Sequence, residues 1–177
     1  MPDAPDAEAP DPARESTHEG DGPTAHSVPA TETGGQRVLH PGRDQLVEVV
    51  EALAADGFVM CIDVTAVDYL AHPGRSLPAG VSAERFEVVI SLLSHAERRR
   101  VRLRVQVPED DARVDSVTAI YPGADALERE VFDLMGIGFD GHPDLSRILM
   151  PEDWVGHPLR KDYAVGEIPV QFKASPA

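Results

Sequence analysis

Between residues 101 and 107 the chain alternates without a break: Val101, Leu103, Val105 and Val107 are apolar, and Arg102, Arg104 and Gln106 lie between them. A period of two belongs to a strand with one face buried, because successive side chains point to opposite sides of a sheet. Residues 85–94 read as a second strand. The linker from His95 to Arg98 is short, so an antiparallel β-hairpin is the economical connection. The arginines at 100, 102 and 104 are expected to be the solvated side of a half-buried strand rather than a binding stripe.

The elements around this hairpin follow from spacing. Asp44 is placed to cap a helix in which Leu46, Val50 and Leu53 recur at helical intervals, with Gly57 as its stop. Residues 58–69 are rich in β-branched side chains (Val59, Ile62, Val64, Thr65, Val67) and read as a strand, followed by a Gly/Pro loop over 71–80. Beyond Pro108 an acidic turn leads to the break at Pro122 and Gly123. A second helix then runs from Asp125, whose spacing to Glu128 suggests a capping box, to Gly136; Leu127, Val131 and Leu134 form its apolar face.

The two ends differ from this middle. Residues 1–36 hold six of the 16 prolines, eight acidic residues and one basic residue, Arg14. A segment with so little large apolar surface cannot offset the entropy of ordering, so 1–36 are expected to be a disordered, acidic, Pro-rich tail. Residues 37–138 are expected to be the folded domain. From 139 to 177 regular periodicity stops, yet Phe139, Leu145, Ile148, Leu149, Trp154, Leu159, Tyr163, Ile168 and Phe172 all fall there. An irregular segment that apolar has to be buried, on its own domain or on another protein.

Charge and cysteine usage exclude several functions. A formal net charge of -15 disfavours nucleic acid and anionic lipid surfaces, both of which are gripped by clustered Lys and Arg. One cysteine, Cys61, can form neither an internal disulfide nor a thiolate cluster for zinc or iron–sulfur. It sits in an apolar strand and is expected to be inert. No apolar run is long enough for a spanning helix, and 1–13 have neither the basic start nor the apolar core of a signal peptide.

Candidate chemistry is sparse. Gly141-His142-Pro143 and Gly156-His157-Pro158 repeat at a spacing of 15 and present two imidazoles on stiff turns, which invites a metal site with Asp140, Asp144 or Asp153, and with it a metal-dependent hydrolase. No recognised ligand spacing supports it, and the duller expectation is hydrogen bonding to backbone carbonyls. Glu128, Arg129, Glu130 and Asp133 are explained by capping and ion pairing without acid–base chemistry. Gly136-x-Gly138 follows a helix, the reverse of the strand-to-helix context that phosphate binding needs.

Three stretches carry a family likeness. Glu128-Arg129-Glu130-Val131-Phe132-Asp133-Leu134-Met135-Gly136-Ile137, then 139–149 with His142, Pro143 and Arg147, then Gly156-His157-Pro158-Leu159-Arg160-Lys161-Asp162-Tyr163 resemble the 30 kDa subunit family of NADH:quinone oxidoreductase, respiratory complex I. Weaker similarity reaches back to Asp63-Val64-Thr65-Ala66-Val67-Asp68. The resemblance implies an α+β fold: a small, at least partly antiparallel sheet with packed helices and an extended C-terminal segment lying over a neighbour. It implies a non-catalytic subunit of a proton-translocating complex, with no catalytic, cofactor-binding or metal-binding residue on this chain. FMN and iron–sulfur clusters would be in partner subunits, protons would be pumped by a membrane arm, and this chain would be peripheral to the cell membrane on its cytoplasmic side, attached through the complex. Counterparts in membrane-bound hydrogenases and other quinone-reducing complexes belong to the same group. The signature residues, with Trp154, would form the subunit interface, which would bind the large quinone-site subunit chiefly through 139–173. There Trp154, Leu159 and Tyr163 would be apolar anchors, and Arg147, Arg160 and Asp162 would be charges that set register.

Overall fold

The alternation of 101–107 folds as the hairpin it predicts. In the computed structural model, which describes residues 24–164, β5 (Phe86–Ser94) pairs antiparallel with β6 (Arg99–Val107), in register from Phe86 opposite Val107 to Ser94 opposite Arg99. Phe86, Val88, Ile90 and Leu92 on one strand and Val101, Leu103, Val105 and Val107 on the other share one fully buried face. The turn closes with Arg98 in the left-handed region and a bond from its N–H to the His95 carbonyl, 3.3 Å.

Two partners extend this hairpin into a sheet. On one side β4 (Met60–Asp68) runs antiparallel to β5 and forms the sheet edge. On the other, β3 (Gln36–Leu39) runs parallel to β6, with Leu39 opposite Leu103. Beyond β3 lie β2 (Val28–Thr33) and the two-residue β1 (Thr24–Ala25), giving the order β1-β2-β3-β6-β5-β4. Helix α1 (Leu46–Ala55) buries Leu46, Val49, Val50 and Leu53 in the core. It begins after a 3-10 turn at Arg43–Gln45, and Asp44 does not cap it; the Gln45 side chain accepts the Gly42 N–H instead, 3.1 Å.

Residues 24–36 correct the expected boundary of the tail. They are strands, because Val28 and Ala30 alternate inward, Gly34 and Gly35 at positive φ make a tight reversal, and β3 supplies the pairing edge. Residues 1–23 and 165–177 lie outside the described residues, with the Ile168 and Phe172 expected in the C-terminal segment.

The outer face of the hairpin is only partly solvated. Arg100 and Arg102 are exposed, but Arg104 is half-buried and its Nε donates to the buried Glu87 carboxylate at 2.7 Å. Gln106 Nε2 donates to the other Glu87 oxygen at 2.6 Å, and Arg75, stacked 3.6 Å from the Tyr69 ring centroid, lies beside them. The loop after β4 folds over this end of the face and excludes water, which is why the arginine row does not stay uniformly wet.

After β6 the chain makes β7 (Arg113–Asp115), helix α2 (Asp125–Met135) and β8 (Gly138–Asp140), which pairs parallel with β7. The capping box expected at Asp125 and Glu128 is absent. Glu128 is fully buried and turns its carboxylate to the segment between β7 and α2, taking the Ser116 hydroxyl at 2.6 Å and the Val117 N–H at 2.8 Å. Burial pushes its pKa up, against the pull of those two donors. Among the described residues, no helix is long and apolar enough to cross a membrane.

Candidate functional site

A helix ends with carbonyls that have no partner in the helix itself. In α2 the irregular segment after β8 supplies those partners, and it closes over the helix end as a strap. The Asp133 carbonyl accepts from His157 Nδ1 at 2.9 Å and from Arg147 Nη1 at 3.1 Å. The Leu134 carbonyl accepts the Leu159 N–H at 3.0 Å, and Arg160 donates from Nε to the Met135 carbonyl (2.6 Å) and from Nη2 to that of Gly136 (3.2 Å). Gly136 makes this approach possible: its φ is +70°, and a Cβ there would lie 2.5 Å from the His157 ring and 2.7 Å from Arg160.

The Asp133 side chain is the second anchor, and it is wholly buried. Its Oδ2 accepts three successive backbone N–H groups, from Ile148 (3.0 Å), Leu149 (2.7 Å) and Met150 (2.8 Å). Its Oδ1 pairs with Arg147 Nη1 at 2.6 Å, while Nη2 of the same guanidinium donates to the Trp154 and Gly156 carbonyls at 3.0 and 3.1 Å. Burial alone would raise this carboxyl. The three amides and Arg147 outweigh it and hold the pKa down to about 2.

Other signature residues pin the rest of the strap. Arg129 donates to the Ser146 carbonyl and hydroxyl and to the Arg147 carbonyl. His142 accepts the Asp144 N–H on Nδ1, which leaves Nε2 to donate to the Asp125 carbonyl at 3.2 Å. At the far end the Lys161 N–H reaches Asp68 Oδ2 (2.9 Å), and Arg85 bridges Asp68 and Asp162 at 2.9 and 2.8 Å.

The structure therefore brings together Arg129, Asp133, Gly136, Arg147, His157, Arg160 and Asp162, all in contacts within the chain. Arg147, Arg160 and Asp162, expected to set register against a partner, are spent holding the strap to its own domain. Trp154 and Tyr163 are half-buried in it, and Tyr163 packs on Gly156, where a Cβ would meet its ring at 2.9 Å. Pro158 is half-buried; Glu130, Pro143 and Lys161 are exposed. What the strap turns outward is apolar: Ile148, Leu149 and Leu159 are about half exposed, and Val155 is 87% exposed. The start of the β4 edge adds Val59, Met60 and Ile62.

The imidazoles of His142 and His157 are engaged by carbonyls of Asp125 and Asp133, eight residues and about two turns apart on α2, so they do not converge on a common point. Among the described residues no group of three or more His, Cys, Asp or Glu is arranged to hold a metal ion. Burial pushes the Cys61 thiol up to about 11. Sequence reasoning passed over Arg85 and Glu87, and met Asp68 only as the end of a stretch of weaker family similarity. The available signal was a charged residue set inside an otherwise apolar strand run, as Glu87 is between Phe86 and Val88.

The signature that builds the strap also decides the family, since the respiratory-chain NADH dehydrogenase 30 Kd subunit family matches residues 39–168. The chain belongs to that family. An NADH-quinone oxidoreductase subunit of Saccharopolyspora erythraea is 44% identical over 86% of this chain and 59% of its own length. Its equivalent in Geobacter sulfurreducens is 45% identical over 73% of this chain and 75% of its own. The chain thus spans little more than half the length of several of the curated relatives it matches, such as the equivalent from Mycolicibacterium gilvum at 57%. Among solved structures, a trypsin-resistant fragment of Nqo5 superposes with a TM-score of 0.59 and 38% identity, covering 67% of this chain and 89% of that one. A chain of the membrane-bound sulfane sulfur reductase, an archaeal respiratory membrane complex, shares the fold with a TM-score of 0.61 at 22% identity, over 80% and 79% of the two chains. The α+β architecture expected of the family is the one observed.

Proposed function

We propose that this chain is a non-catalytic subunit of the peripheral arm of a proton-translocating NADH:quinone oxidoreductase. In this reading NADH is oxidised and quinone reduced in other subunits, which carry the FMN and the iron–sulfur clusters. The chain lies at the cytoplasmic side of the cell membrane, attached through the complex. Its main partner is the large quinone-site subunit, and residues 139–173 are the principal contact.

The observation that carries this reading is the division of labour in the strap. Its polar and charged groups are turned inward onto α2, and Leu149, Val155 and Leu159 are left on the surface of an irregular segment that is otherwise firmly anchored. Rigid presentation of apolar side chains suits a permanent protein interface, whose buried centre is depleted in charge. Its described residues offer no convergent set of acids, bases or nucleophiles.

The test is the double variant Leu149→Asp/Val155→Asp in the native host, against Arg102→Ala on the exposed hairpin face. The C-terminal variant should leave the isolated chain folded, while the amount of assembled complex and the NADH:quinone activity fall together. Normal assembly with activity alone lost would mean that the strap takes part in the chemistry, and would overturn the proposal.

A further inference from the structure

A groove of about 710 Å³ opens at the end of the sheet away from the strap, where the β2–β3 turn, the β5–β6 turn and the last turn of α1 meet. Its floor is Leu39, Leu53, Phe58 and Val101, none more than 4% exposed. Arg37 is the strand partner of Val101, and Arg99 lies two residues before it, so both stand on the core-side face of the sheet above that floor. Arg98 and Arg100 complete the rim. Four arginines at one site are a quarter of the Lys and Arg in a chain whose net charge is -15.

The acids of the rim do not use up these cations. Glu97 pairs with Arg99 at 2.5 Å, and Arg99 also lies over the Phe58 ring. Asp56 faces His26 at 3.5 Å. Among the described residues no carboxylate comes within ion-pair distance of Arg37, Arg98 or Arg100, and all three are exposed. Arg98 is held there with φ at +52°, in the left-handed region that Gly or Asn would occupy with less strain.

This chemistry selects the occupant. The floor is nearly closed already, so an apolar helix laid on it would remove little more apolar surface from water; what the groove offers is guanidinium groups, whose fork matches a carboxylate. A nucleic acid or an anionic bilayer is too extended to meet these arginines without also meeting the acidic remainder of the chain, which repels it. A short acidic segment carried by another protein meets only the groove. We propose that the groove receives an acidic segment of a neighbouring subunit, its carboxylates paired with Arg37, Arg98 and Arg100. The proposal rests on the reading of this chain as a subunit of a larger complex, and adds a second contact at the end of the sheet away from the strap. Single exposed pairs are weak; enclosed between two subunits and sharing one acidic segment, several act together and set its register.

Lysine is scarce here, only Lys161 and Lys173, which makes a clean test possible. The complex is purified from the native host through another subunit, with this chain bearing Arg98→Lys, Arg100→Lys or, as control on the outer sheet face, Arg102→Lys. Treatment with a zero-length carbodiimide and mapping by mass spectrometry should give amide cross-links from positions 98 and 100 to Asp or Glu of another subunit, several-fold above those from position 102. In a second arm, Arg98→Glu/Arg100→Glu should release the chain from the complex at several-fold lower salt than the native chain. Cross-links confined to carboxylates of this chain, equal yields from position 102, or an unchanged release by salt would overturn the proposal and leave the assembly reading standing. A native chain that does not co-purify with other subunits would refute that reading, and the proposal with it.

Discussion

Replacing Asp133 by alanine would remove the acceptor for three consecutive amides of the strap and strand Arg147, whose side chain is only 16% exposed. Removing one partner of a buried ion pair costs about 3–5 kcal/mol. The depressed carboxyl pKa gives a second, independent measure. A fall from an unfolded value of about 3.9 to about 2 corresponds to roughly 2–3 kcal/mol of stability at neutral pH. Adding the four charge-assisted bonds one by one would exceed both figures, because a loosened strap can return its amides to water. About 3 kcal/mol, or two powers of ten in an opening equilibrium, is therefore the expected effect.

That energy should appear locally, since the strap can lift without disturbing the β5–β6 hairpin. Amide hydrogen exchange at pH 7 is the assay. Ile148, Leu149 and Met150 should exchange about a hundredfold faster in Asp133→Ala, with β5 and β6 amides unchanged. The sign with pH is fixed by the direction of the shift. The carboxylate's contribution in the native chain is complete above the unfolded pKa of about 3.9 and drains away as pH falls toward 2, and the variant lacks this dependence. If the three amides exchange within about threefold of the native chain, or if protection is lost equally in the hairpin, Asp133 is not what holds the strap.

Glu87→Ala would leave Arg104 and Arg75 beside an empty buried site; a loss of about 3–5 kcal/mol should lower the melting temperature by roughly 6–20 °C in calorimetry, against about 0.5 kcal/mol or less for Arg102→Ala. An equal effect of the two would show that the loop-covered cluster carries no net stability. Gly136→Ala combines a left-handed backbone, costing about 1–2 kcal/mol, with a clash against His157 and Arg160, so limited proteolysis should open at 156–163 while the sheet survives. Gly123→Ala, with nothing within 4 Å of the added carbon, is the neutral comparison.

The parts of this fold legible in the sequence are those that bury one face by themselves. The hairpin, α1 and α2 each show a period of two or 3.6 in their own residues, and β4 shows in its run of β-branched side chains. The strands β2 and β3 were hidden because the second half of β2 (Thr31, Glu32, Thr33) is polar on both faces and their composition blends into the acidic stretch before them; the Gly34–Gly35 pair between two short β-prone runs was the readable clue. Of the strap, the apolar content and the signature charges were visible, but not where the charges point. Asp133 and Arg160 bind backbone amides and carbonyls, which every residue possesses, so no pairing of side chains along the sequence could disclose them. Glu128 misled for a related reason: its spacing suits a cap, and only the fold shows a better donor pair at Ser116 and Val117.

The way α2 is finished also sets an order on synthesis. Asp133 finds its partners 14 to 17 residues further along the chain, and the helix-end carbonyls wait for His157, Leu159 and Arg160. A ribosome making about 5–20 residues per second therefore carries this helix for one to several seconds with a buried-type carboxylate and its last turn unpaired. The hairpin, complete by Val107, has no such dependence. Nascent chains arrested with residues up to 136–147 outside the exit tunnel should accordingly hold a formed hairpin and an unsealed helix. The apolar outer face of the strap, with Leu149, Val155 and Leu159, comes into being only as the last of these residues leave the exit tunnel, which makes the proposed interface a late event in the life of the polypeptide.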